Sequence, residues 1–93
     1  MKSALDQTSL DQLFREAHTF NKFADQPVVE QTIRELYELL KWGPTSMNAQ
    51  PGRYVFVHSA AARERLIPAM IAANAEKTRK APLTVIVAMD TQF

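Results

Sequence analysis

The stretch LKWGPTSMNAQPGRYVFVH, Leu40 to His58, changes structural period partway along. On its N-terminal side Ile33, Leu36, Tyr37 and Leu40 recur three and four apart, the apolar stripe of an amphipathic helix. On its C-terminal side Arg53 to His58 is β-branched and aromatic, which predicts a strand. The chain has two glycines and five prolines, and Gly43, Pro44, Pro51 and Gly52 all fall at this switch. Gly43 suits a left-handed cap and Pro44 cannot extend a helix, so the helix stop is routine. It does not account for the polar run Thr45, Ser46, Asn48 and Gln50 between the two prolines. In one reading these residues cap the helix and satisfy loop backbone. In the other their amides and hydroxyls meet a heterocycle edge that carries an imide N–H between two carbonyls, as in flavin or uracil.

Outward from this stretch, Glu30 and Arg34 form an i,i+4 pair on the same helix. Before it, Leu10, Leu13, Phe14 and Ala17 share one helical face, and Ser9 with Gln12 reads as a capping box, predicting a first helix at about 9 to 18. His18 to Pro27 is a loop, with a turn at Asp25-Gln26-Pro27. After the strand, a helical stretch opens at Ser59, breaks near Pro68 and resumes to about Lys80. Leu83 to Met89, LTVIVAM, is nearly continuous apolar and predicts a strand covered on both faces. Strand, helix and strand suggest a right-handed crossover in a parallel sheet, whether or not the two strands are neighbours.

At 93 residues with 46% hydrophobic and 23% charged residues, the chain reads as a single domain with a modest core and no room for a large enclosed site. A net charge of +1 points away from nucleic acid. The absence of cysteine removes disulfides, thiolate metal sites and cysteine nucleophiles. The N-terminus lacks a signal-peptide apolar run and no segment reaches a spanning length, so the reading is cytoplasmic, with no membrane partner. The chain stops just after its most apolar strand, as the first half of a larger α+β domain would.

Of the two histidines, His58 at a strand end reads as a surface residue, while His18, beside Thr19 and Asn21, is able to donate to an anion such as phosphate. No second histidine stands at metal-ligand spacing, and neither glycine sits in a phosphate-loop motif. Asn74, Glu76, Lys77, Arg79 and Lys80 form a polar patch, read either as a solvated face or as a lysine set against a flavin, where its charge would stabilise the reduced anion. Trp42, Met47 and Met70 read as packing residues.

FADQPV, the helix after it, GPTSMNAQP, the YVFV strand and NAEKTRKAPLTVIVAMD together resemble the FMN-dependent nitroreductase family, with the closest look to its malonic semialdehyde reductase branch. The likeness runs from about Leu10 onward and covers the N-terminal half of a member. It implies an α+β fold with helices packed on a central sheet, a homodimer with interfacial flavin, and FMN as cofactor with NADH or NADPH as hydride donor. It implies an acceptor such as malonic semialdehyde or a nitro compound. By the same resemblance His18, Thr19 and Asn21 occupy places that hold the FMN phosphate and ribityl chain, and Ala17 stands where many members have an arginine. Pro44, Thr45, Ser46 and Asn48 match the loop that meets FMN, and Asn74 and Lys77 match a pair directed at its pyrimidine edge. Gly52 replaces an aromatic residue frequent after the QP dipeptide. Two other readings stand beside this one: a non-catalytic fragment or small self-associating domain without flavin, and nucleic-acid binding by EKTRKAP.

Overall fold

The chain-breaking residues between Leu40 and Gly52 separate a helical N-terminal segment from a strand–helices–strand unit. A computed structural model describes residues 2–92. It contains helix α1 (Gln7–Leu10, continuing as a wide helical turn over Asp11–Arg15), α2 (Glu30–Leu40), strand β1 (Gly52–Val57), α3 (Ala60–Leu66), α4 (Ala72–Lys80) and β2 (Thr84–Met89). The fold is α+β.

α1 starts earlier than the capping box implied. Asp6, not Ser9, is the N-cap, and its carboxylate accepts the Ser9 backbone N–H at 2.7 Å. Ser9 therefore occupies the third helical position, where its N–H is an unpaired donor that the cap satisfies. α2 follows expectation, with Arg34 paired to Glu30 at 2.7 Å. Its end differs: Gly43 does not adopt positive φ. The last turn instead tightens, with Trp42 N–H donating to Leu39 O and Gly43 N–H to Leu40 O. No hydrogen-bonded turn forms at Asp25-Gln26-Pro27, where the chain makes a bend at Asp25.

The second half matches the reading closely in its elements and departs from it in its topology. Ser59 caps α3 by accepting the Ala62 N–H at 3.1 Å. Pro68 sits in a short 3₁₀ turn, Ile67–Ala69, and Met70 and Ile71 are extended before α4 begins. This break is a reversal. Arg63 Nη1 donates to Arg79 O at 3.1 Å, and Arg79 pairs with Glu64 at 3.1 Å, so α4 runs back alongside α3. One helix between two strands would carry the chain to the far end of the sheet and leave the strands parallel. Two helices return it to the end it left. β1 and β2 are accordingly antiparallel neighbours, with Gly52 opposite Met89 and Val57 opposite Thr84, and not parallel strands joined by a crossover.

The core is small. Only Val57 and Ala81 are buried hydrophobic residues among those described. β2, expected to be covered on both faces, leaves Val87 73% and Met89 64% exposed. The apolar face of α1 is likewise open, with Leu13 and Phe14 exposed. The accessible surface is 8300 Å², against roughly 5400 Å² for a closed monomer of this mass. The radius of gyration is 16.2 Å, against about 12 Å for a closed domain of this length. Apolar surface that a sequence of this composition would normally bury therefore faces outward.

Two outcomes are expected. As a free 93-residue polypeptide the chain should sediment above monomer mass and bind an apolar dye, because β2 offers both apolar side chains and an unpaired edge; a compact, cooperatively unfolding monomer would contradict this. The Asp6 carboxyl is held below its ordinary value of 3.8, chiefly by the Ser9 backbone N–H. A lowered folded value means that its contribution is present above the ordinary value and lost as pH falls below it. The protection of the Ser9 amide, its exchange rate taken relative to the intrinsic rate at each pH, should therefore fall as pH is lowered through the ordinary value of 3.8, and Asp6→Ala should abolish that dependence.

Candidate functional site

The polar run between the prolines is where the backbone is strained. Met47, Asn48 and Gln50 have φ values of 50°, 54° and 51°, the left-handed region, and none is glycine. Each such residue costs roughly 1–2 kcal/mol without local compensation. The compensation is visible. Asn48 N–H donates to Thr45 O, Ala49 N–H to Ser46 O, and Gln50 N–H to Thr45 Oγ1 at 3.1 Å. The Gln50 side-chain amide donates to Asn48 Oδ1 at 3.0 Å. Met47 projects into solvent, 98% exposed, so it packs nothing. Thr45 and Gln50 hold the loop, and Asn48 presents its amide from a fixed backbone. The expectation of a left-handed residue here was right for the region and wrong for the residue: it falls inside the loop, not at Gly43.

Pro44, Thr45 and Gln50 line a cleft of about 250 Å³ together with Tyr37, Lys41, Arg53 and Tyr54. Gly52 belongs to this wall for a steric reason. A Cβ built on it would lie 2.7 Å from the Tyr54 hydroxyl oxygen, so the phenol folds over bare backbone. The Tyr54 ring meets Tyr37 edge-on, with centroids 6.4 Å apart. Aromatic surface that could have come from position 52 is supplied by position 54.

A second cleft, of about 360 Å³, gathers Thr19, Asn21, Asn74 and Lys77 with Phe20 and Thr84. Lys77 Nζ donates to Asn21 Oδ1 at 3.2 Å across 56 positions of sequence. α4 supplies Asn74 and Lys77 on one face, being a helical turn apart, and the loop after α1 lies against them. His18 is not part of this cleft. Its Nδ1–H donates to Glu16 O at 3.2 Å and its ring meets Phe20 at a 45° tilt with centroids 4.0 Å apart, facing a cleft lined by Thr8, Asp11 and Gln12. The structure thus joins Thr19, Asn21, Asn74 and Lys77, sets Pro44 and Thr45 in a different cleft with Ser46 and Asn48 on the adjoining turn, and leaves His18 apart.

The rest of the polar patch on α4 has a structural occupation. Glu76 is held below the usual carboxylate range first by its hydrogen bond from Arg79 and then by Lys80. Arg79 is raised by Glu64 and Glu76. The charges of EKTRKAP are therefore largely paired with each other and with α3, which leaves Lys77 directed at an amide. His58, read as a surface residue, is exposed but bonded: its Nε2–H donates to the Val28 carbonyl at 2.6 Å and ties the end of β1 to the entry of α2. No spacing in the sequence signals that tie, which spans 30 positions. Among the described residues no helix is long and apolar enough to cross a membrane, and no cluster of histidine, cysteine or acidic side chains is gathered for a metal.

The sequence profile of the nitroreductase family matches residues 14–89. A Ralstonia nicotianae protein with the provisional name NADH dehydrogenase/NAD(P)H nitroreductase is 56% identical over 89 residues, which are 96% of this chain and 46% of that protein. Proteins given the same provisional name are 54% identical in Xanthomonas oryzae pv. oryzae and 50% identical in Stenotrophomonas maltophilia, each over all of this chain and 47% of the relative. The chain spans about half the length of the curated relatives it matches.

Gly52→Ala should push the Tyr54 ring off the backbone, and because the close atom is the free end of a half-exposed side chain, the change in stability should stay within about 1 kcal/mol. Chemical-denaturant unfolding, with the Tyr54 ring resonances as a local probe, checks both effects; an unmoved ring would show that the wall yields elsewhere.

Proposed function

The chain belongs to the nitroreductase family, and on that premise we propose that the protein is an FMN-dependent oxidoreductase drawing on NADH or NADPH. The observation that carries the reading is the convergence of Thr19, Asn21, Asn74 and Lys77, from opposite ends of the sequence, on one open cleft. Its donor set suits FMN: an ammonium and side-chain amides for a heterocycle edge, and a hydroxyl for the ribityl chain.

When bound, FMN would supply the redox chemistry, taking a hydride from the nicotinamide and passing it to a small acceptor such as malonic semialdehyde or a nitro compound. The chain's own part is position and field. Lys77 sets a positive charge at the cleft, already oriented by Asn21, so little reorganisation is needed to face an anionic ring edge. Asn74, one turn earlier on α4, offers a donor and an acceptor beside it. Asn48 presents a third amide from the strained loop, supported by Pro44, Thr45 and Ser46. Thr19, in the same cleft, would offer its hydroxyl to the ribityl chain. His18, whose Nδ1–H is donated to Glu16 O, would meet the phosphate through Nε2–H when both ring nitrogens carry protons. The two groups of residues would serve two flavins related by dimer symmetry. The protein works as a homodimer in the cytoplasm, and the 93 residues form one part of its domain.

A second reading is favoured by the uncovered β2 and the two-residue core: a self-associating domain that keeps the family's sequence without flavin.

FMN added to the purified protein at its natural length and then desalted should leave a flavin absorbance band with the protein. Lys77→Ala and Asn48→Ala should each raise the FMN Kd by about tenfold, the loss of one charge-assisted or fully formed hydrogen bond. A colourless protein would favour the second reading, and FMN affinity indifferent to both substitutions would overturn the assignment of Lys77 and Asn48.

A further inference from the structure

The loop from Thr45 to Gln50 is strained, yet its own hydrogen bonds close only upon itself. A loop so closed still needs something to fix it to the body of the protein. Arg53 is the residue that does so. Its Nη1 donates to Gln50 O at 3.0 Å and to Gly52 O at 2.8 Å, and its Nη2 donates to Asp90 Oδ2 at 3.0 Å. Asp90 is itself fixed, since its N–H donates to Pro51 O at 2.8 Å and its Oδ1 accepts the Gln92 N–H at 2.9 Å. One guanidinium therefore joins the last residue of the loop, the first residue of β1 and the residue following β2.

We propose that Arg53 is a positioning residue: it pins the Thr45–Gln50 loop to the paired ends of β1 and β2 and so sets where Asn48 and Thr45 stand toward the flavin. The proposal rests on the flavin reading of this loop. The ion pair itself is half exposed, 56% for Arg53 and 36% for Asp90, so its contribution to overall stability is small and its effect is geometric. The planar fork is essential to that geometry, because it reaches two carbonyls and a carboxylate at once from fixed directions. A lysine would carry the charge without the fork. Gln50 O, the acceptor, belongs to a positive-φ residue, so releasing it frees the peptide whose conformation the loop has to maintain.

The test uses the protein at its natural length, with Arg53→Ala, Arg53→Lys and Asp90→Asn, and two separate readouts. In the flavin-free protein, hydrogen exchange at the Gln50 amide, which is bonded to Thr45 Oγ1, reports the loop. In parallel, titration with FMN reports the site. Arg53→Ala should speed Gln50 exchange by about tenfold with the global unfolding midpoint nearly unchanged, and raise the FMN Kd several-fold. Arg53→Lys should restore little of either, and Asp90→Asn, which keeps an acceptor, should restore most of both. Unchanged Gln50 exchange in Arg53→Ala overturns the proposal. Faster exchange with unaltered FMN affinity overturns its flavin half and leaves the tether standing. An unsubstituted protein that binds no FMN defeats the flavin reading itself, while the exchange experiment still decides the tether. Should Arg53→Ala fail to fold, Arg53→Lys decides by the same exchange criterion, Gln50 exchange as slow as in the unsubstituted protein counting against the proposal.

Discussion

The antiparallel ladder between β1 and β2 is the constraint on which the rest of the molecule depends. Its register sets Gly52 against Met89 and so brings the polar loop before β1 to the segment that follows β2. It also closes the α3–α4 pair over the opposite end, where Val57 faces Thr84 and the two buried side chains, Val57 and Ala81, sit. Every candidate site residue on α4 owes its place to that closure. With so little buried apolar surface elsewhere, the ladder's hydrogen bonds carry the long-range order, and the exposed contacts between α3 and α4 fix how the two helices align.

Two kinds of positioning coexist in the candidate site. Lys77 and Asn74 stand on a regular helix, and their spacing alone puts them side by side. Asn48 is held by unfavourable backbone that neighbouring hydrogen bonds stabilise. Backbone strain of this kind persists only where the surroundings over-determine it, and it tends to mark sites where an approach geometry matters more than stability. The contrast explains why the helical pair needs no support outside α4 beyond Asn21, whereas the loop is bonded through Gln50 O to Arg53 on β1, which is itself paired with Asp90 just after β2.

Much of the fold was legible in the sequence, and the failures share a cause. Ser59 as a cap, Pro68 as a break and Gly43-Pro44 as a stop are local signals, and local chemistry answered them. The parallel crossover failed because the break at Pro68 was counted as an interruption in one helix; the extended Met70 and Ile71 turn it into a reversal, and an even number of helical passes returns the chain to its starting end. The cap of α1 failed because a carboxylate at Asp6 reaches the Ser9 N–H before the Ser9 hydroxyl has a role. The expected cover on β2 failed because an apolar run states what a strand needs, not what the described residues provide. At the site, family resemblance set Thr19 and Asn21 at one end of a flavin and Asn74 and Lys77 at another, and their meeting in one cleft came only from the structure, since no spacing rule joins the two ends of a sequence. His18 stands apart for a local reason, its Nδ1–H being satisfied by Glu16 O two residues back. Arg53 left no sequence signal, because its role exists only once the ladder has brought Asp90 beside it.

The left-handed residues of the loop also limit how this sequence is free to drift. Met47 touches nothing with its side chain, so by exposure alone any residue would serve there. Its backbone says otherwise: at a φ of 50° a β-branched side chain crowds the adjacent carbonyl, while glycine and asparagine are at ease. The same holds for Asn48 and Gln50. Substitution at these positions is filtered by shape before it is filtered by chemistry, and a residue that looks idle on the surface is confined to a narrow set of replacements by the peptide beneath it.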